Sequence, residues 1–238
     1  MKADAILFDK DGTLIDFDAF WVTVTEKAIQ ATLSQLGAEA ALAGPILEAI
    51  GVHNGVTDVD SVLCKGTYGQ IGQVVHEVLR QHGVAADRDA VVQRIEKAYE
   101  DHMDAGQVQP TCPDLKEVLE KLKEQGKHLA VVTTDNAEVT AFCLKKLGIE
   151  QLFDRIYTDD GTFPPKPDPY CAHHFCDLLG IGRDRAVMVG DTLNDVRFAR
   201  NAGIQVVGVA AGEENRRLLT GQADLLVSSL SELPYVLV

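Results

Sequence analysis

Two carboxylates, Asp9 and Asp11, stand two residues apart in FDKDGTL (8–14), immediately after a short apolar run. At a strand end such a pair converges on one site as the chain turns. One carboxylate can ligate a hard cation or attack phosphorus while the other handles a proton. Gly12 lets the backbone turn sharply, and the amides around Gly12 and Thr13 can face an anion. A plain Asp-Gly turn has the same appearance. A second pair, Asp191 and Asp195, lies in VMVGDTLND (187–195). The first can reach a metal and the second, one helical turn on, faces the same way. Equally, the two suit a helix N-cap and a first-turn charge. Thr133 closes HLAVVT (128–133), where a hydroxyl and the amide of Thr134 suit a phosphoryl oxygen. Thr133 also reads as a cap for the next helix, and Thr134 is its rival for the phosphate. Lys166 sits in FPPKPDP (163–169), where prolines on both sides stiffen the backbone. Held there, it can offset the repulsion among carboxylates and bind phosphate, or simply be a solvated loop lysine.

These residues need elements to position them. Residues 112–238 alternate brief β-branched runs with amphipathic segments. The runs 128–133, 152–158, 186–191 and 204–210 read as buried strands, and 115–126, 137–148, 169–180 and 194–203 read as helices ending at glycine. With AILFD (5–9) they predict an α/β fold, a doubly wound parallel sheet with helices on both faces. Residues 16–111 have another texture, with helical patterns over 18–37, 69–83 and 88–106 and no convincing strand. The predicted organisation is a core domain of residues 1–15 and 112–238, interrupted by an all-helical cap domain of residues 16–111. Ligands in open α/β sheets bind at the carboxyl ends of the strands, and every motif above follows a predicted strand.

Composition narrows the function classes. The net charge of −14 disfavours a nucleic-acid backbone or an anionic membrane as partner. No apolar run approaches the roughly 20 residues needed to span a bilayer. MKADAILFDKDG lacks the apolar stretch and cleavage site of a signal peptide, so cytoplasmic residence is the expectation. The five cysteines are widely spread with no CxxC pair, which argues against a disulfide framework or a zinc site. His173 and His174 are adjacent on a predicted helix, so their side chains diverge and read as packing or surface residues.

In order and strand-end placement, FDKDGT, VVT, the lysine of PPKPDP and VGDTLND resemble the four motifs of the haloacid dehalogenase superfamily. The likeness spans essentially the whole chain, and the insertion after the first motif resembles that family's C1-type cap. The pattern is most similar to the phosphoglycolate phosphatase branch. The resemblance implies a Rossmann-like core and a phosphomonoesterase acting on a small phosphorylated metabolite. Asp9 would be the covalent nucleophile, forming an aspartyl-phosphate, and Asp11 the acid/base. Magnesium would be held by Asp9, the Asp11 carbonyl and Asp191, with Asp195 in support. Thr133 and Lys166 would hold the phosphoryl oxygens. Halide needs no proton to leave, so an acid at position 11 favours phosphoester cleavage over dehalogenation. Two departures stand out: Lys10, where many relatives are apolar, and Thr134-Asp135, where that branch often has Asn. Strand alternation predicts that Lys10 faces solvent or the cap. Substrate choice would fall to VLCKGTYGQ (62–70), with Lys65, Gly66, Thr67 and Tyr68 as contacts. Lys65 suits a second anionic group, while Thr67 also reads as a helix cap. A phosphomutase and a non-enzymatic phosphometabolite-binding protein are the alternatives. Oligomeric state is not legible.

Overall fold

The apolar run AILF forms β1 (Ala5–Phe8), all four residues buried, in a computed structural model describing residues 1–238. The chain divides into two compact units, residues 1–16 with 108–238, and residues 17–107.

The inserted unit is built from helices. A π-helical turn (Asp18–Val22) runs into α1 (Thr23–Leu36), followed by α2 (Ala43–Ala49). A two-stranded antiparallel hairpin of β2 (Val52–His53) and β3 (Val56–Thr57) comes next. Then follow α3 (Val62–Lys65), α4 (Tyr68–Gln81) and α5 (Arg88–His102). Ala28, Ile29 and Leu33 of α1, Ile71, Val75 and Leu79 of α4, and Val91, Ile95 and Tyr99 of α5 are buried. Spacings of one or four residues put each set on one helical face, so the unit has its own core. The hairpin is an addition to the expected all-helical composition. Its turn is Asn54-Gly55, both at positive φ (54° and 80°). That backbone favours Asn-Gly and matches the twist of a tight hairpin.

The chain returns to the first unit earlier than the residue 112 read from sequence. The amide of Asp16 bonds the Gln109 carbonyl (2.9 Å) and that of Thr111 bonds the Leu14 carbonyl (3.2 Å). These backbone bonds tie residues 109–111 to the segment leaving β1. The remaining elements are α6 (Leu115–Glu124), β4 (His128–Val132), α7 (Ala137–Leu147), β5 (Arg155–Tyr157), α8 (Tyr170–Leu179), β6 (Ala186–Gly190), α9 (Leu193–Ala202), β7 (Gln205–Val209), α10 (Glu213–Leu219), β8 (Leu225–Val227) and α11 (Leu233–Val236). The six core strands pair in parallel in the order β5-β4-β1-β6-β7-β8. Successive strands thus run to one side of β1 and then to the other, which creates a switch point beside it.

Ala5, Leu7, Ala130, Val132, Ala186 and Met188 pack with Phe175 of α8 and Phe198 and Ala199 of α9. The intervening Ile6, Phe8, Leu129, Val131, Val187 and Val189 are also buried, so the sheet is covered on both faces. No helix is long and apolar enough to cross a membrane.

Candidate active site

Register brings the motifs together. Phe8 of β1 lies opposite Val131 of β4 and Val189 of β6, so the chains leaving these three strands emerge side by side. Asp9 is still held in line by its amide, which bonds the Val189 carbonyl at 2.9 Å. Beyond it the chain folds into a turn in which the amides of Leu14 and Ile15 both bond the Lys10 carbonyl. Gly12 occupies the left-handed region (φ +76°), and a Cβ there would run into the Asp191 carboxylate. Only glycine satisfies both conditions.

Two expected phosphate contacts are engaged elsewhere. The Gly12 amide donates to the Ile15 carbonyl (2.8 Å), closing the turn. The buried Thr13 hydroxyl donates to Asp191 Oδ1 (3.0 Å), so this side chain orients a carboxylate.

Asp9, Asp191 and Asp195 each present a carboxylate oxygen to one point, the atoms lying within 4.8 Å of one another. Lys166 joins them. Its Nζ donates to Asp9 Oδ1 at 2.5 Å and to Asp195 Oδ1 at 2.7 Å, and the side chain is only 3% exposed. The reading of Lys166 as a solvated loop residue is excluded. Asp195 is fixed further by α9: its Oδ2 accepts from the Thr192 amide (3.1 Å) and hydroxyl (2.6 Å) in a reciprocal capping box. Asn215 of α10 donates to the Asp191 carbonyl oxygen at 3.2 Å, with Asp191 Oδ2 at 3.5 Å.

Thr133 is buried at the end of β4, its amide bonded to the Tyr157 carbonyl (3.0 Å) and its hydroxyl accepting from the Asp135 amide (3.1 Å). It does not cap the next helix. Asn136 does, accepting from the Val139 amide at 2.9 Å. Thr134 is exposed.

Asp11 turns to a different neighbour. Lys10 Nζ donates to Asp11 Oδ1 (2.6 Å) and stands 2.8 Å from Asp135 Oδ2. Lys10 is completely buried, which corrects the expectation of a solvent- or cap-facing side chain. Strand alternation does not extend to it, because β1 ends at Phe8 and Lys10 already belongs to the turn.

Burial pushes the Asp9 carboxyl up to about 6, with Lys166 pulling it down and Asp195 pushing it up. Burial likewise raises Asp11 to about 7, against the pull of Lys10 and with the push of Asp135. Asp191 is held well above the ordinary carboxylate range by burial and by the neighbouring charges of Asp9 and Asp195. Burial works against the charge on Lys166, yet Asp195 and Asp9 outweigh it and keep the ammonium protonated. One ammonium against three carboxylates leaves a deficit of positive charge. An all-oxygen set of this kind fits a hard divalent cation.

The cap residues singled out from sequence have local partners. Lys65 is exposed and ion-paired with Asp60. Thr67 is the N-cap of α4, forming a capping box with Gln70. Tyr68 stacks on Tyr99 with centroids 4.5 Å apart and planes 15° from parallel. Gly66 ends α3, its amide bonded to the Val62 carbonyl at 2.8 Å.

Lys10, Asp135, Thr192 and Asn215 also belong to the site's framework, beyond the residues that the motifs single out. Thr192 is foreshadowed by the spacing of TLND, a capping pattern. Asn215 has no local signal, since its contact spans 24 residues.

Comparison with known proteins identifies the family. The chain is 32% identical over 240 residues to a phosphoglycolate phosphatase of Neisseria meningitidis, covering 96% of this chain and 91% of that protein. It is 27% identical to the pyrophosphatase PpaX of Bacillus velezensis, over 99% of this chain and 96% of the other. Among solved structures, a predicted phosphoglycolate phosphatase from Haemophilus somnus superposes with a TM-score of 0.74 at 23% identity, covering 99% of this chain and 98% of that one, a likeness of fold. A model of haloacid dehalogenase-like hydrolases matches residues 3–203, and the chain belongs to that family.

Proposed function

We propose that the protein is a magnesium-dependent phosphomonoesterase acting on a small phosphorylated metabolite through an aspartyl-phosphate on Asp9. The observation that carries this reading is the convergence of Asp9, Asp191 and Asp195 around the buried Lys166, next to a second carboxyl, Asp11, at about 7. Asp9, the Asp11 carbonyl and Asp191 would hold magnesium. Both oxygens of Asp195 already accept hydrogen bonds, which favours a supporting role for it. When bound, the ion offsets the repulsion between a carboxylate nucleophile and a phosphate dianion.

Asp9 attacks phosphorus, and the bond to the ester oxygen breaks as Asp11 delivers its proton to the leaving alkoxide. Asp11, now ionised, takes a proton from the water that attacks the aspartyl-phosphate. The bond from Asp9 to phosphorus then breaks, releasing orthophosphate. A carboxyl titrating near neutrality suits both roles, since it can give and take a proton at working pH. Lys166 steadies Asp9 through its hydrogen bond, and with the Thr133 hydroxyl it holds the phosphoryl oxygens.

Phosphoglycolate is the substrate we favour, because relatives bearing that activity in their names align along nearly the whole chain. Lys65, with Gly66, Thr67 and Tyr68 around it, is the proposed source of substrate selectivity. The test is phosphate release from p-nitrophenyl phosphate with magnesium, with EDTA, and with Asp9→Asn, followed by a panel including phosphoglycolate, pyrophosphate and sugar phosphates. Magnesium-dependent turnover lost in Asp9→Asn supports the reading. Folded, magnesium-binding protein without turnover on any of these substrates refutes it.

A further inference from the structure

The buried lysine between the two aspartates has no part in the reaction as described, and its surroundings give it one. Lys10 is 0% exposed, whereas the Asp11 and Asp135 side chains it contacts are 17% and 20% exposed. A fully buried ammonium is rare and persists only when paired. Here the pairing is specific. Lys10 donates to Asp11 Oδ1 at 2.6 Å, with Asp135 Oδ2 at 2.8 Å on its other side. The titratable groups around the ammonium also include Cys143 of α7.

Asp135 is itself anchored in the loop after β4. Its amide donates to the Thr133 hydroxyl (3.1 Å) and its carbonyl accepts from the Asp159 amide (2.8 Å). The Lys10 carbonyl meanwhile accepts from both Leu14 and Ile15, fixing the turn from which the side chain departs. Lys10 therefore links the loop bearing Asp9 and Asp11 to the loop bearing Thr133. It occupies one oxygen of Asp11 and leaves Oδ2 for other work.

We infer that Lys10, braced by Asp135, is a positioning residue: it holds the Asp11 carboxyl by Oδ1 so that Oδ2 serves the departing oxygen of the substrate. This rests on the phosphatase reading above and adds the means by which the acid is aimed. A carboxyl with no partner to hold it samples several rotamers, and each misdirected rotamer is unproductive. A lysine whose only task was to neutralise charge would not care which step of the reaction was slow.

The experiment uses Lys10→Met, Asp135→Asn, Asp11→Asn and the double variant Lys10→Met/Asp11→Asn, each checked by circular dichroism and thermal melting. Hydrolysis of aryl and alkyl phosphates spanning good to poor leaving groups is followed in single-turnover and steady-state modes. We expect Lys10→Met to lower kcat about 10- to 100-fold on alkyl phosphates, in the range typical of residues that orient a reacting group. The loss should be smaller on p-nitrophenyl phosphate, whose leaving group needs little protonation, and KM should hold. In the Asp11→Asn background Lys10→Met should cost nothing further, because the two act as one unit.

A wild-type dependence on leaving group in Lys10→Met, or an equal loss with and without Asp11, would overturn the inference. Should Lys10→Met fail to fold, Asp135→Asn decides. It should steepen the leaving-group dependence in the same direction but less, and an unchanged dependence counts against us. Inactive wild-type protein would refute the phosphatase reading itself, whereas active wild type with an indifferent Lys10→Met refutes the positioning role alone.

Discussion

The core and the inserted unit both offer polar residues that sequence singles out, but they keep them in different states. Around the carboxyl ends of the core strands, Asp9, Lys10, Thr133, Lys166 and Asp195 are buried, and the ion pairs Lys166–Asp9, Lys166–Asp195 and Lys10–Asp135 join distant parts of the chain. In the inserted unit Lys65 is exposed beside Asp60, and Thr67 spends its hydroxyl on its own helix. Burying a charge is costly unless it is paired, so a fold seldom retains such an arrangement for stability alone. An exposed ion pair and a cap cost little and have ordinary local explanations. The same residue types thus weigh more as functional signals in the core than in the insertion.

That contrast can be broken or sharpened by substitution. Asp9→Asn should abolish turnover, a loss of at least about 10⁴-fold in kcat, as for removal of a covalent nucleophile. Residual activity near wild type would end the claim that the buried cluster is the reacting centre. Asp11→Asn should cost about 10²- to 10⁴-fold. It should also remove the alkaline limb of the kcat/KM profile, which we expect near the Asp11 value of about 7, because the acid must be protonated when the ester bond breaks.

Stability offers a readout independent of activity. Asp9 and Asp11 are held above the ordinary value of 3.8, at about 6 and about 7. A carboxyl raised in the folded state stabilises fully below its unfolded pKa and loses that contribution as pH rises through the folded value. Metal-free protein should therefore lose stability from about pH 4 to about pH 7 on account of these groups. Magnesium should restore it, because it binds the ionised carboxylates, and the gain in Tm should grow over the same range. Asp191→Asn should flatten that gain, and a magnesium effect equal at all pH values would contradict the assignment. The smallest effects belong to the insertion. Thr67→Ala should cost about 1 kcal/mol in thermal or denaturant unfolding through loss of the cap. Lys65→Ala should raise KM for substrates with a second anionic group and leave p-nitrophenyl phosphate untouched. Unchanged kinetics on every substrate would remove Lys65 from the proposed selectivity surface.

What could be read from sequence follows the same physics. The runs that form β1, β4, β6 and β7 are apolar but for His128 and Gln205 at the first positions of β4 and β7, because both faces of the sheet are covered. Residues such as Asp9, Thr133 and Asp191 stood out because they follow such runs. Strand β8 (Leu225–Val227) escaped notice as a three-residue edge strand, only partly buried. The hairpin in the insertion was announced by Asn54-Gly55, but two-residue strands show no period. Alternation misplaces Lys10 because the strand ends two residues before it, at Phe8. Asp135 and Asn215 owe their places to contacts across the fold, for which no local pattern exists.

The central claim is that Asp9 takes the phosphoryl group. Rapid quenching of enzyme turning over a phosphoester, followed by borohydride reduction and peptide mass spectrometry, tests it most directly. The account predicts a phosphoryl adduct, or its reduction product, on the Asp9 peptide of the wild type and none in Asp9→Asn. Turnover with no adduct at any quench time, or with an adduct on another residue, would contradict it.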